Sequence, residues 1–147
     1  MLYSDLKGRK LVDTSTADTA GKVDGFLLDP TSRSVVALEF KKTDHGSTVA
    51  WTDLTAVGSD AVTVAGASVI VDAEGQLADL ATKDGQVLKK RVLTEVGEDL
   101  GKVHDIDLDP ESGALLELIV GEKKNRHSVA GSRLLGVGSY AVVVKAE

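Results

Sequence analysis

The chain has 147 residues, 42% hydrophobic and 27% charged, with 15 Gly, 2 Pro and no Cys, a globular composition with room for one ordinary domain or two very small ones. Without cysteine there is no disulfide framework, iron-sulfur cluster or thiolate zinc site, which points to a reducing compartment. The net charge of −6 divides as −2 over residues 1–64, −3 over 65–85 and −1 over 86–147, so no segment carries the basic excess that extensive phosphate contact needs.

In chain order, the first seven residues lack the apolar core of a secretory signal, and no run approaches the roughly 20 apolar residues that cross a bilayer. A cytoplasmic protein is expected. Period-two alternation predicts strands over 9–12, 47–51 and 61–64, and a hairpin in which Val23, Phe26 and Leu28 lead through Asp29-Pro30-Thr31-Ser32 to Val36, Leu38 and Phe40. Asp before Pro is turn chemistry, so Asp29 is expected to form the turn. A single helical turn is expected around Leu54. In the acidic stretch that follows, Val69-Ile70-Val71 reads as an added strand and 74–81 as a short helix with Leu77 and Leu80 inward.

The pattern then starts again. Residues 11–64 superpose without a gap on 91–144, with 19 identities in 54 positions. Gly21-Lys22-Val23 meets Gly101-Lys102-Val103, Leu28-Asp29-Pro30 meets Leu108-Asp109-Pro110, and Val57-Gly58-Ser59 meets Val137-Gly138-Ser139. Strands are therefore expected over 89–93, 128–131 and 141–144, with a second hairpin through Asp109-Pro110 and a helical turn near Leu134. The fold class that follows is all-β: two tandem small antiparallel β-barrels, repeat one at 1–66 and repeat two at 86–147, joined by a linker at 67–85. Units this small bury only about 60% of their unfolded surface, so contact between the halves is expected.

The Gly-Lys-Val strand, Asp-Pro turn, alternating Val/Leu strand and closing Val-Gly-Ser-x-Ala-Val-x-Val segment resemble the PRC-barrel family, here twice over. That family includes the cytoplasmic domain of the photosynthetic reaction centre H subunit, a domain of a bacterial ribosome maturation factor and archaeal cell-division adaptors. The resemblance implies a six-stranded barrel used as a protein-interaction module, often self-associating, and transfers no catalytic residue.

Nothing in the motifs indicates an enzyme. Gly97-Glu98-Asp99-Leu100-Gly101-Lys102-Val103 is one residue short of a phosphate loop and ends in Val where a hydroxyl is required; Gly136-Val137-Gly138-Ser139-Tyr140-Ala141 fits a dinucleotide fingerprint by letters but precedes a strand. Asp105, Asp107 and Asp109 share one face of a strand opposite His104, yet a flat strand presents a row of carboxylates rather than converging oxygens. His45, His104 and His127 lie in different elements. No metal, no cofactor and no catalytic residue are expected. Lys89, Lys90, Arg91 and Lys123, Lys124, Arg126, with Lys41-Lys42, form the candidate patches for an anionic partner, and solvated hairpin ends are their plainer reading.

The copies differ in polarity on the face that alternation turns outward. Repeat one places Gly25, Leu27, Val35 and Ala37 there, repeat two Asp105, Asp107, Leu115 and Glu117. Leu27, Val35 and Ala37, with Leu115 and Ile119 on repeat two, are thus the candidate interface, covered either by the other barrel and linker or by a partner. The expected function is a non-enzymatic adaptor or scaffold with protein partners, a homodimer among them, with nucleic acid disfavoured and a membrane approached only through a partner. The alternative is an RNA-processing or ribosome-assembly accessory binding RNA or ribosomal protein.

Overall fold

A computed structural model describes residues 1–44, 46–122 and 124–147. The first repeat opens with a one-turn helix α1 (Tyr3–Leu6) and continues through β1 (Lys10–Asp13), β2 (Asp18–Asp29), β3 (Ser34–Lys41), β4 (Thr48–Ala50), β5 (Ala56–Val57) and β6 (Ala61–Val64). The connecting segment holds one short helix, α2 (Gln76–Leu80). The second repeat supplies β7 (Arg91–Thr94), β8 (Asp99–Leu108), β9 (Leu115–Glu122), β10 (Asn125–Ala130), β11 (Leu134–Val137) and β12 (Ala141–Val144).

Each repeat forms one six-stranded sheet, ordered β4-β3-β2-β1-β6-β5 and β10-β9-β8-β7-β12-β11. The sheets are mixed rather than antiparallel, because β6 runs parallel to β1 and β12 parallel to β7. The return leg explains this: β5 and β6 make an antiparallel pair, which brings β6 back in the direction of β1. Closure also differs from expectation. Among the described residues no ladder joins edge strands β4 and β5 or β10 and β11; the gaps are crossed by the 3-10 turns Trp51–Asp53 and Gly131–Arg133. Those turns precede the positions expected from Leu54 and Leu134, and Leu134 itself begins β11.

The hairpin turns are built as the sequence indicates. Asp29 Oδ1 accepts the Thr31 N–H at 2.9 Å, and Asp109 Oδ1 accepts that of Glu111 at 2.9 Å. The bond from the Glu111 backbone is the main reason the Asp109 carboxyl lies below the usual range. In each sheet the long hairpin is bulged twice at matching places, between Val23 and Gly25 and between Leu27 and Leu28, then between Val103 and Asp105 and between Asp107 and Leu108. The second bulge changes the phase of the alternation. Leu28 faces Val35, and Leu108 faces Leu115, as core pairs, so Val35 and Leu115 belong to the inner face and not to the outer one. Their neighbours take the other side: Val36 is half-buried and Leu116 is 47% exposed.

Buried side chains of both sheets form a single apolar cluster that runs from Leu11, Val23 and Leu38 in the first to Val103, Ile106 and Leu118 in the second. In the connecting segment, Val71 alone pairs with β4, through two 2.8 Å bonds with Thr48, and Leu77 and Leu80 of α2 are half-buried. No described helix is long and apolar enough to cross a membrane.

Candidate functional site

The two repeats meet at equivalent residues. Ser34 and Ala114, one repeat length apart, form an antiparallel bridge; Val35 N–H donates to Gly113 O at 2.8 Å, and Leu115 N–H donates to Arg33 O at 2.9 Å. Residue i of one copy thus bonds residue j of the other and j bonds i, the signature of a two-fold interface, here contained in one chain. Arg33 and Gly113 both hold left-handed backbone at this junction, with φ of 54° and 80°. The Trp51 ring lies over Gly113 and donates from Nε1 to Glu111 O at 3.3 Å, while Arg33 Nε donates to Leu134 O at 2.8 Å.

The helices exchange in the same manner. α1, which leads into the first repeat, packs on β8, and α2, which leads into the second, packs on β2. The acidic row of β8 is occupied by this exchange: Asp105 Oδ1 accepts the Ser4 N–H at 3.1 Å and the Ile106 N–H at 2.9 Å, and Asp107 Oδ1 accepts the Met1 amino group at 2.7 Å. Asp105 is 8% exposed. Asp105 and Asp107 of the row therefore receive the N-terminal segment, while Asp109 stays in its own turn. Asp105→Ala leaves two N–H groups without an acceptor, a cost of about 1–3 kcal/mol, and amide exchange of residues 3–8 should accelerate ahead of the sheets; unchanged exchange there would show that Asp105 does not hold α1.

The candidate interface is largely internal. Leu27 and Ala37 face each other across β2 and β3 on the outer side, at 2% and 0% exposure. Val35 and Leu115 are core, for the phase reason given above. Only Ile119, opposite Asp105, remains half-buried. Of the two covers weighed for this face, the chain supplies its own.

The basic clusters are partly committed as well. Lys90 Nζ donates to Gly138 O at 2.7 Å and to Lys83 O and Asp84 O at 3.1 Å each, and burial draws its pKa down. Arg9 makes the matching bond in the first repeat, Nη1 to Gly58 O at 2.5 Å. Arg91 pairs with Glu122 and, at 3.5 Å, with Asp99. Lys89, Lys124 and Arg126 are exposed, and Lys123 and His45 lie outside the described residues. Among the described residues no three His, Asp or Glu side chains converge to hold a metal ion.

Two features escaped the sequence reading. One is a cleft of about 270 Å³ lined by Tyr3, Lys7, Asp24, Gly25, Phe26, Glu39 and residues 86–89. Glu39 is half-buried there, and burial, then the nearby Asp24, hold its carboxyl above the usual range. The signal available was the copy comparison, which sets Glu39 against Ile119 and Asp24 against His104. The other is a set of exposed apolar side chains in the second repeat, Val96, Leu116, Leu135 and Tyr140.

Residues 82–142 match the family model of the PRC-barrel domain. No curated protein matches the chain. The match spans the second sheet up to the start of β12, and the first sheet has the same strand order and bulges. Residues 82–142 thus form a PRC-barrel domain, and a second six-stranded sheet of like design precedes it.

Proposed function

We propose that the chain is a non-enzymatic protein-protein adaptor working in the cytoplasm, in which the two units hold each other through the two-fold junction and the outside of the second receives a protein. One observation carries this reading. Val96, Leu116, Leu135 and Tyr140 are 66%, 47%, 49% and 76% exposed, whereas their equivalents in the first repeat are Thr16, the half-buried Val36, Thr55 and Asp60. A core requirement would act on both copies, so apolar exposure at these four positions and not at their equivalents supports a role in docking; outside the second repeat Leu2 and Val71 are exposed as well, at 36% and 45%. Leu116 and Leu135 each follow a residue bonded to Arg33, which sets both beside the same anchor.

The RNA-accessory reading has less support, because Lys90 and Arg91 are spent within the chain. The test is the double variant Leu116→Asp with Leu135→Asp, followed by light scattering for self-association and by residue-specific crosslinking to a captured partner. Loss of one association at an unchanged melting temperature is expected. Mass and crosslinks identical to those of the parent would overturn the docking role.

A further inference from the structure

We propose that the cleft between α1, the outer side of β2 and β3, and residues 86–89 binds an alkyl cation, the ammonium or guanidinium head of a lysine- or arginine-like group. Tyr3 lines it and is 3% exposed. Among the described residues its hydroxyl has no hydrogen-bond partner, and it is not sealed from solvent. A phenol this buried ordinarily finds a partner inside the protein, so a hydroxyl open only to a cleft points to something that enters it.

The other walls specify charge. Glu39 makes neither an ion pair nor a hydrogen bond among the described residues, and it leans over Gly25, where an added Cβ would lie 2.6 Å from its Oε1. Asp24 supplies a second carboxylate, and its one ion-pair partner among the described residues, Lys41, is 4.0 Å away at the exposed edge. Lys7 and Lys89 line the cleft without coming within ion-pair distance of either carboxylate. Burial, then Asp24, Glu39 and Asp105, keeps the Tyr3 phenol protonated, so its oxygen can accept from an entering N–H.

Phe26 meets the Tyr3 ring edge-on, with centroids 4.7 Å apart, and with Val87 and Leu88 offers apolar wall to a methylene stem. About 270 Å³ is below the size of a drug-like pocket and suits one side chain. The second repeat has His104, Ile106 and Ile119 at the places of Asp24, Phe26 and Glu39, so the site is not duplicated.

The adaptor reading bears only on the source of the cation, a partner's side chain or a free amine. The full-length chain, labelled with ¹⁵N, is titrated with butylguanidinium, butylammonium, Gly-Arg-Gly and, as control, Gly-Glu-Gly. Saturable shifts at the Gly25 and Glu39 amides are expected for the three cations and not for the control. Glu39→Gln should weaken binding about tenfold, Tyr3→Phe by less, and binding should fade as pH drops through the raised Glu39 pKa. The charged groups that face Glu39 across the cleft are Asp24, Lys7 and Lys89, and the pH effect is read against Glu39→Gln.

Folding provides a separate control. With its pKa raised in the folded state, Glu39 favours folding at low pH and loses that benefit as pH rises, so Glu39→Gln should melt higher than the parent at pH 7 but not at pH 4. Tighter binding of Gly-Arg-Gly than of butylguanidinium assigns the site to a partner chain, and the reverse order to a free amine. Absence of saturable shifts at millimolar probe, or shifts unchanged by Glu39→Gln, would overturn the site and leave the Leu116 and Leu135 test of the adaptor reading untouched.

Discussion

Gly113→Ala should cost about 3 kcal/mol and lower the melting temperature by roughly 10 °C. Two effects contribute, and their sizes can be ranked. Left-handed backbone penalises a side chain by about 1–2 kcal/mol, yet Arg33 holds φ of 54° at the equivalent turn, so that conformation alone is tolerated. The larger effect is steric. A Cβ on Gly113 would lie 2.6 Å from Val35 O and 3.0 Å from the Trp51 ring, and neither the bonded strand nor the indole can withdraw without opening the junction. Thermal unfolding followed by Trp51 fluorescence checks this directly, because Trp51 is the one tryptophan in the chain. A variant melting with the parent would mean that the halves do not press together at that turn.

Leu27→Asp should be at least as damaging, about 4 kcal/mol at pH 7, because it places a carboxylate without a partner at a position only 2% exposed. Leu27→Ala, which only empties space, should cost about 2–4 kcal/mol. The pH dependence separates the two variants. Burial raises the folded pKa of the new carboxyl, so the protonated form is the better tolerated one and the deficit of Leu27→Asp should shrink as pH falls, whereas that of Leu27→Ala should not. Denaturant titrations at pH 7 and pH 4 give both numbers. Parental stability for Leu27→Asp at pH 7 would show that this face opens to solvent and is free to dock.

Residue pattern and structure part company at one kind of place. The duplication, the Asp-Pro turns and the strands at Ala61–Val64 and Ala141–Val144 follow from local chemistry, and all are visible in the chain as written. Which side of the sheet a residue faces depends on the count of residues since the last bulge. A bulge between Leu27 and Leu28 leaves no mark in composition, so Val35 and Leu115 read as outer residues when they are core. Parallel pairing of β1 with β6 is likewise set by the return leg, beyond the reach of alternation.

The candidate site was harder still. Tyr3-Ser4-Asp5-Leu6 is too short to show helical periodicity, and the cleft joins it to Glu39 and to residues 86–89, three stretches with no local sign of belonging together. Glu39 between Leu38 and Phe40 is the ordinary outward residue of a strand until the fold half-buries it. The copies differ at this place, Glu39 in the first standing where the second has Ile119.

The internal two-fold has a consequence for function. A lone unit of this kind would expose the start of β3; here the duplicated partner pairs with it, and α2 packs on β2, the strand that carries Leu27. On the proposed adaptor reading, docking uses surface that the copies do not share, which is where Glu39, Leu116 and Leu135 lie.

The measurement that bears most directly on this account is equilibrium denaturation read at once by Trp51 fluorescence, which reports the junction, and by far-ultraviolet circular dichroism, which reports the sheets. With the repeats joined across Val35–Gly113 and Arg33–Leu115 over one apolar cluster, the two signals should change together in a single transition. A fluorescence midpoint well below that of the dichroism, with the sheets still intact, would contradict it.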